Sequence, residues 1–183
     1  MVMYAIAPTR NAVAWRRNET TTEITERYEK LSKNIATAVL SRDRLFPNDA
    51  DGTKTAALVL SIAQYESGFD KLVGNGKKRG DGGRSWCYMQ MNLGGGAIGF
   101  GPPEMKLWRG VDLVQDPVKC FVAGIETLRI SMERCKYYKG AAKLSAYTSG
   151  RCQATERGAI HRWEYAWRLV AKYPRPLLAA VGM

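Results

Sequence analysis

The stretch Thr53-Lys54-Thr55-Ala56-Ala57-Leu58-Val59-Leu60-Ser61-Ile62-Ala63-Gln64-Tyr65-Glu66-Ser67-Gly68-Phe69 decides the fold. Between Ala56 and Ala63 only Ser61 is polar. A helix that is apolar nearly all round has no solvent face, so it belongs in the middle of a domain with other helices around it. Thr53 is placed to cap its start, and Gly68 stops it. Glu66 then stands at the C-terminal end, where the negative pole of the helix dipole and apolar neighbours both favour a protonated carboxyl. A glutamic acid kept protonated near neutral pH is a proton donor. The plain alternative is a polar residue that ends a helix and faces water.

Outward from that helix, Thr20-Thr21-Thr22-Glu23 reads as a capping box, and Ile24, Tyr28, Leu31, Ile35 and Val39 repeat at helical spacing. An amphipathic helix is therefore expected over 21–42. Residues 46–52 form a turn-rich connector. From Gly68 to Gly83 the composition turns to glycine and charge, as in a surface loop, and Trp86-Cys87-Tyr88-Met89-Gln90-Met91-Asn92 reads as an extended strand. The glycines of 94–101 lack the Gly-Lys-Ser/Thr ending of a phosphate loop and read as a surface loop. Asp116-Pro117 opens a helix expected to reach about Tyr138 and to pack on the Glu66 helix. Residues 143–147 form a short helix. Trp163, Ala166, Trp167 and Val170 mark one face of a last helix that ends before Pro174. The fold class is mainly α, with a small strand region.

The chain has 183 residues, 45% hydrophobic and 25% charged, enough for one core and one domain. The expected organisation is an arm over 1–19, a domain over 20–173 and a tail over 174–183. Lys and Arg number 28 against 17 Asp and Glu, a net charge of +11, which suits an anionic partner: nucleic acid, acidic lipid or bacterial cell wall. The basic residues are scattered, and no helix-turn-helix, zinc-finger or RNP pattern stands out, so a specific nucleic-acid module is the weaker reading. One histidine and four widely spaced cysteines make a poor ligand set, so no metal and no cofactor are expected. No segment reaches membrane-spanning length, and residues 1–10 lack the pattern of a standard export signal. The apolar tail is expected to pack on the domain or on a partner.

Cys120 and Cys135 fall on one expected helix, where fifteen residues span roughly 22 Å, too far to bond. Two complete pairings remain, and four reduced thiols are the further alternative. Cys87 with Cys120 and Cys135 with Cys152 is the preferred set, because the second bridge would clip a short loop around Tyr147.

Three segments in order, Glu66-Ser67-Gly68-Phe69, Tyr88-Met89-Gln90-Met91-Asn92 and Ala146-Tyr147-Thr148-Ser149-Gly150, resemble the motifs of the soluble-lytic-transglycosylase-like, lysozyme-fold family. The resemblance spans about 53–170. It implies a lysozyme-like fold, helices around a central buried helix with a small strand region lining a cleft. It also implies cleavage of the β-1,4 bond between N-acetylmuramic acid and N-acetylglucosamine in peptidoglycan, with Glu66 as acid and base. By the same resemblance Ser67, Gln90 and Thr148 would contact substrate, Met89 would line the cleft, and Tyr147 would contact substrate and position Glu66. The chain departs from the family pattern at Cys87, where glycine is usual, and at Thr148, where asparagine is usual.

A hydrolase of the same fold, resembling goose-type lysozyme, needs a second carboxylate to activate water, and Asp81 is the candidate. Asp70 reads as a turn residue. The partners implied are peptidoglycan glycan strands and other virion proteins. The absence of an export pattern fits a phage-type protein carried in the virion or released to the periplasm. An inactive virion component with this fold, and a DNA-binding basic protein, are the rival classes.

Overall fold

A computed structural model describes residues 19–94 and 96–173. The expected arm, apart from Glu19, and the expected tail lie outside the described residues. The chain is mainly helical: α1 (Thr21–Leu40), α2 (Thr53–Ser67), α3 (Lys71–Gly74), β1 (Ser85–Trp86), β2 (Met91–Asn92), α4 (Pro103–Lys106), α5 (Gly110–Gln115), α6 (Pro117–Arg134), α7 (Ser145–Ser149) and α8 (Arg157–Lys172). Single 3-10 turns occupy Asp81–Gly83 and Gly140–Leu144.

The capping box at the start of α1 is present in both directions: Glu23 N–H donates to Thr20 Oγ1 at 3.2 Å, and Thr20 N–H donates to Glu23 Oε2 at 2.7 Å. All five residues of the expected stripe are buried, from Ile24 to Val39. That stripe lies against α6, while α2 packs most extensively on α8. The expected contact of α6 with α2 is present but small, and the main partner of the Glu66 helix is α8. The first turn of α2 is also served differently from expectation. Gly52 is the cap residue, and acids of the connector take the free N–H groups: Asp49 accepts from Lys54 and Thr55, and Asp51 accepts from Thr53. Every residue of α2 from Thr55 to Ala63 is buried, so the helix is the centre of the core.

Asp116 caps α6 through Val118 N–H at 3.0 Å, with Pro117 in the first turn. The helix stops at Arg134, short of the expected Tyr138, because Cys135 leaves the helical conformation to meet Cys152. Both preferred disulfides are formed, Cys87–Cys120 with Cα atoms 6.1 Å apart and Cys135–Cys152 at 5.4 Å. One ties the segment after β1 to the first turn of α6, and the other ties the end of α6 to the residues after α7. Replacing Cys135 and Cys152 by serine removes a closure of sequence separation 17. The expected cost is about 3 kcal/mol, or on the order of 8 °C in melting temperature, measurable by calorimetry against the oxidised parent.

The expected strand over 86–92 is instead a hairpin. Ser85 pairs with Asn92 and Trp86 with Met91, antiparallel, and the chain reverses through Cys87-Tyr88-Met89-Gln90. Cys87 and Gln90 hold positive φ, 57° and 47°, and Gln90 N–H closes the turn on Cys87 O at 3.0 Å. The Met89 side chain is driven into the core against Gly124 of α6, where a Cβ would collide with it. Glycine inside α6 is therefore a close-approach requirement.

Candidate active site

Glu66 reaches its position because α2 ends abruptly. Gly68 sits in the left-handed region at φ 55° and donates its N–H to Gln64 O, and Phe69 follows at φ 54°. Positive φ costs a non-glycine residue about 1–3 kcal/mol, and the surroundings of Phe69 impose it. Its ring is fully buried, edge-on to Tyr28 at 6.3 Å, and its carbonyl accepts from Arg27 Nη1 at 2.7 Å. Arg27 in turn is held by Glu19 at 2.8 Å. The turn after Glu66 is thus anchored to α1.

The Glu66 side chain is 21% exposed and accepts a hydrogen bond from Arg162 Nη2 of α8 at 2.9 Å. Burial pushes the carboxyl above the usual range, the Arg162 charge pulls it back, and the Asp81 charge adds a smaller upward push. Burial wins. Arg162 is itself tightly fixed: Nη1 donates to Gly158 O at 3.0 Å, and its guanidinium lies 5.1 Å from the centroid of the Tyr65 ring. Its backbone carbonyl accepts from the buried Ser61 hydroxyl at 2.6 Å, which stitches α8 to α2. Sequence reasoning missed Arg162, counting it among scattered basic residues. No local signal marks it, because only the packing of α8 on α2 brings it to Glu66.

Tyr147 comes from α7. Its N–H donates to Ser131 Oγ of α6 at 2.9 Å, and its hydroxyl donates to Met89 O at 2.9 Å, so the second and third motif segments meet. Burial raises the phenol far above its usual range, and the nearby Glu66 charge raises it further. At neutral pH Tyr147 is a neutral donor. Its hydroxyl is engaged by the Met89 carbonyl, and its link to Glu66 is electrostatic proximity. The Met89 side chain is fully buried, so it is the Met89 backbone that faces Tyr147.

Gln90 is half-buried; its Nε2 donates to Cys87 O at 3.0 Å, and its Oε1 lies against Gly80. Ser67 turns its hydroxyl back to Ala63 O at 2.8 Å and accepts from Phe69 N–H. The Thr148 hydroxyl donates to Glu156, the cap of α8, whose carboxylate also accepts from Gly158 and Ala159 N–H. The Ser67 and Thr148 hydroxyls are thus engaged in the local frame, and Glu156, which sequence reasoning overlooked, caps the helix that carries Arg162. Asp81 is exposed at φ 50° and accepts from Ser85 Oγ at 2.6 Å and from Asn92 Nδ2 at 3.2 Å, which lowers its carboxyl. It stands ionised on the hairpin side of Glu66. Asp70 caps α3 through Leu72 N–H at 2.8 Å, as a turn residue would.

Glu66, raised by burial, is bonded to the fixed Arg162 guanidinium and lies within electrostatic range of the neutral Tyr147 phenol and of the ionised Asp81. That set can donate a proton, take it back and stabilise developing charge. Among the described residues no group of His, Cys, Asp and Glu has the arrangement of a metal site. No helix among them is long and apolar enough to cross a membrane. Comparisons with protein families, with curated proteins and with solved structures return no match for this chain.

Proposed function

We propose that the chain is a peptidoglycan lytic transglycosylase of the lysozyme-like fold, carried in a phage particle or delivered to the periplasm, with Glu66 as both acid and base. The observation that carries it is the position of Glu66: a raised carboxyl at the end of the helix that forms the centre of the core, within electrostatic range of Tyr147, which in turn bonds the Met89 carbonyl of the second motif segment. The protonated Glu66 gives its proton to the glycosidic oxygen as the C1–O bond of the muramoyl residue breaks. The C6 hydroxyl oxygen then bonds to C1, and the Glu66 carboxylate removes the hydroxyl proton. The 1,6-anhydro ring closes, no water is consumed, and Glu66 is protonated again. Tyr147, neutral and anchored on Met89 O, borders the carboxyl in both states.

A hydrolase is the second reading, favoured by Asp81. Its charge acts on Glu66, and Ser85 and Asn92 hold it ionised, as a water-activating base requires. Mass analysis of purified-wall digests separates the two. Anhydro ends are expected, with Asp81→Asn retaining activity within about threefold because an exposed carboxylate outside the proton path is a small electrostatic perturbation. Products that end wholly in reducing sugars, with Asp81→Asn slowed by about 10²-fold or more, would establish the hydrolase instead.

A further inference from the structure

From Arg134 to Thr155 the chain contains no acidic residue but holds Arg134, Lys136, Lys139, Lys143 and Arg151. The Cys135–Cys152 bridge, with Cα atoms 5.4 Å apart, folds this segment into a clip and brings the chain at Arg151 next to the chain at Arg134 and Lys136. All four of Arg134, Lys136, Lys139 and Arg151 are exposed. Tyr137 stands out of the clip at 90% exposure, with Lys136 Nζ 5.8 Å from its ring centroid, and Tyr138 follows at 37%. One carboxylate faces the cluster, Glu133, paired with Lys136 at 2.8 Å and also within the field of Lys143. The cations of the segment outnumber that one carboxylate, and the Tyr137 ring beside Lys136 is open to solvent.

The clip is rigid where it matters. Ser131 accepts from Tyr147 N–H and donates to Lys143 O, and Ser145 accepts from Gln153 N–H at 2.9 Å. A ligand would therefore find the cations already gathered, with little ordering left to oppose binding. The same clip carries Tyr147, so whatever binds its outer face is held in fixed relation to Glu66.

We propose that the outer face of this clip docks a phosphodiester-bearing cell-wall polymer, its phosphates pairing with Arg134, Lys136, Lys139 and Arg151 and its sugar or polyol units packing on Tyr137. Guanidinium groups suit phosphate oxygens, and an exposed tyrosine ring offers an apolar face with a polar rim to a polyhydroxylated chain. The assignment to wall polymer in preference to nucleic acid rests on the wall-cleaving reading of Glu66.

Co-sedimentation of the full-length Glu66→Gln protein tests it, using purified walls that carry teichoic acid and the same walls stripped of it by hydrogen fluoride. Stripping is expected to weaken binding about tenfold, as lost charge-assisted phosphate contacts would. The variant R134Q/K136Q/K139Q/R151Q should bind intact and stripped walls alike, at the stripped level. Tyr137→Ala, a single exposed change, should lose about threefold on intact walls. Equal binding of the parent to intact and stripped walls would overturn the proposal, as would parent-level binding by both variants. Displacement by a single-stranded oligonucleotide at lower concentration than by free teichoic acid would overturn it in favour of nucleic acid. Binding is read without turnover, so failure of the native protein to cleave walls would remove the enzyme reading and leave this binding result standing.

Discussion

Glu66→Gln is expected to lower the clearing of purified walls by about 10²–10⁴-fold, the span associated with losing a positioned general acid, while the protein stays folded. Glutamine keeps the size of the side chain and can still accept from Arg162, but it has no acidic proton to give. The variant also reports on the carboxyl directly. Because burial raises Glu66 above its ordinary 4.5, the folded state holds the proton more tightly than the unfolded chain does. The sign follows: its contribution to stability is fully present below pH 4.5 and is lost as pH rises through the higher folded-state value. Urea midpoints of the parent should therefore carry a downward component with rising pH that the glutamine variant lacks. Matched pH profiles in the two proteins would show that the carboxyl is not held protonated, and undiminished clearing by the variant would remove Glu66 from the chemistry.

Arg162→Gln has the second largest expected effect, and it acts on both stability and pH dependence. The guanidinium gives Glu66 its 2.9 Å hydrogen bond and lies over Tyr65, so its loss should cost about 1.5–3 kcal/mol, the range for a hydrogen bond to a charged group. With the opposing charge gone, burial acts on Glu66 unopposed and its carboxyl rises further. The alkaline limb of kcat/KM should then move to higher pH, and Arg162→Lys should bring it part of the way back. A fall in activity with an unmoved limb would mean that Arg162 serves packing only.

Much of the frame was legible because it is local. The Thr20 capping box, the stripe from Ile24 to Val39, the Asp116-Pro117 start and the burial of α2 each depend on residues within a turn or two of one another. One distance argument excluded Cys120 with Cys135, since two cysteines at opposite ends of a helix cannot meet; the choice between the two pairings that remained rested on the short loop that Cys135–Cys152 clips around Tyr147. The hairpin was not legible. Its reversal needs positive φ at Cys87 and Gln90, residues whose types do not announce it, and tertiary packing of Met89 on Gly124 imposes it. In the site, Glu66 could be found from the helix that ends there, whereas Arg162 could not. Nothing near position 162 refers to a residue 96 positions earlier, and only the packing of α8 on α2 brings the charges together. Likewise Thr148 and Glu156 read as unrelated residues until α7 delivers a hydroxyl to the cap of α8.

That late pairing has a consequence for how the chain is made. The most apolar helix leaves the ribosome well before its main partner, and 96 residues of synthesis separate Glu66 from Arg162, on the order of 5–20 s at ordinary elongation rates. Throughout that interval α2 has no α8 to cover it and is a surface that other chains can capture. The last described helix is therefore the closing piece of the core and of the candidate site at once. A chain that stops before Arg157 would lose solubility and activity together.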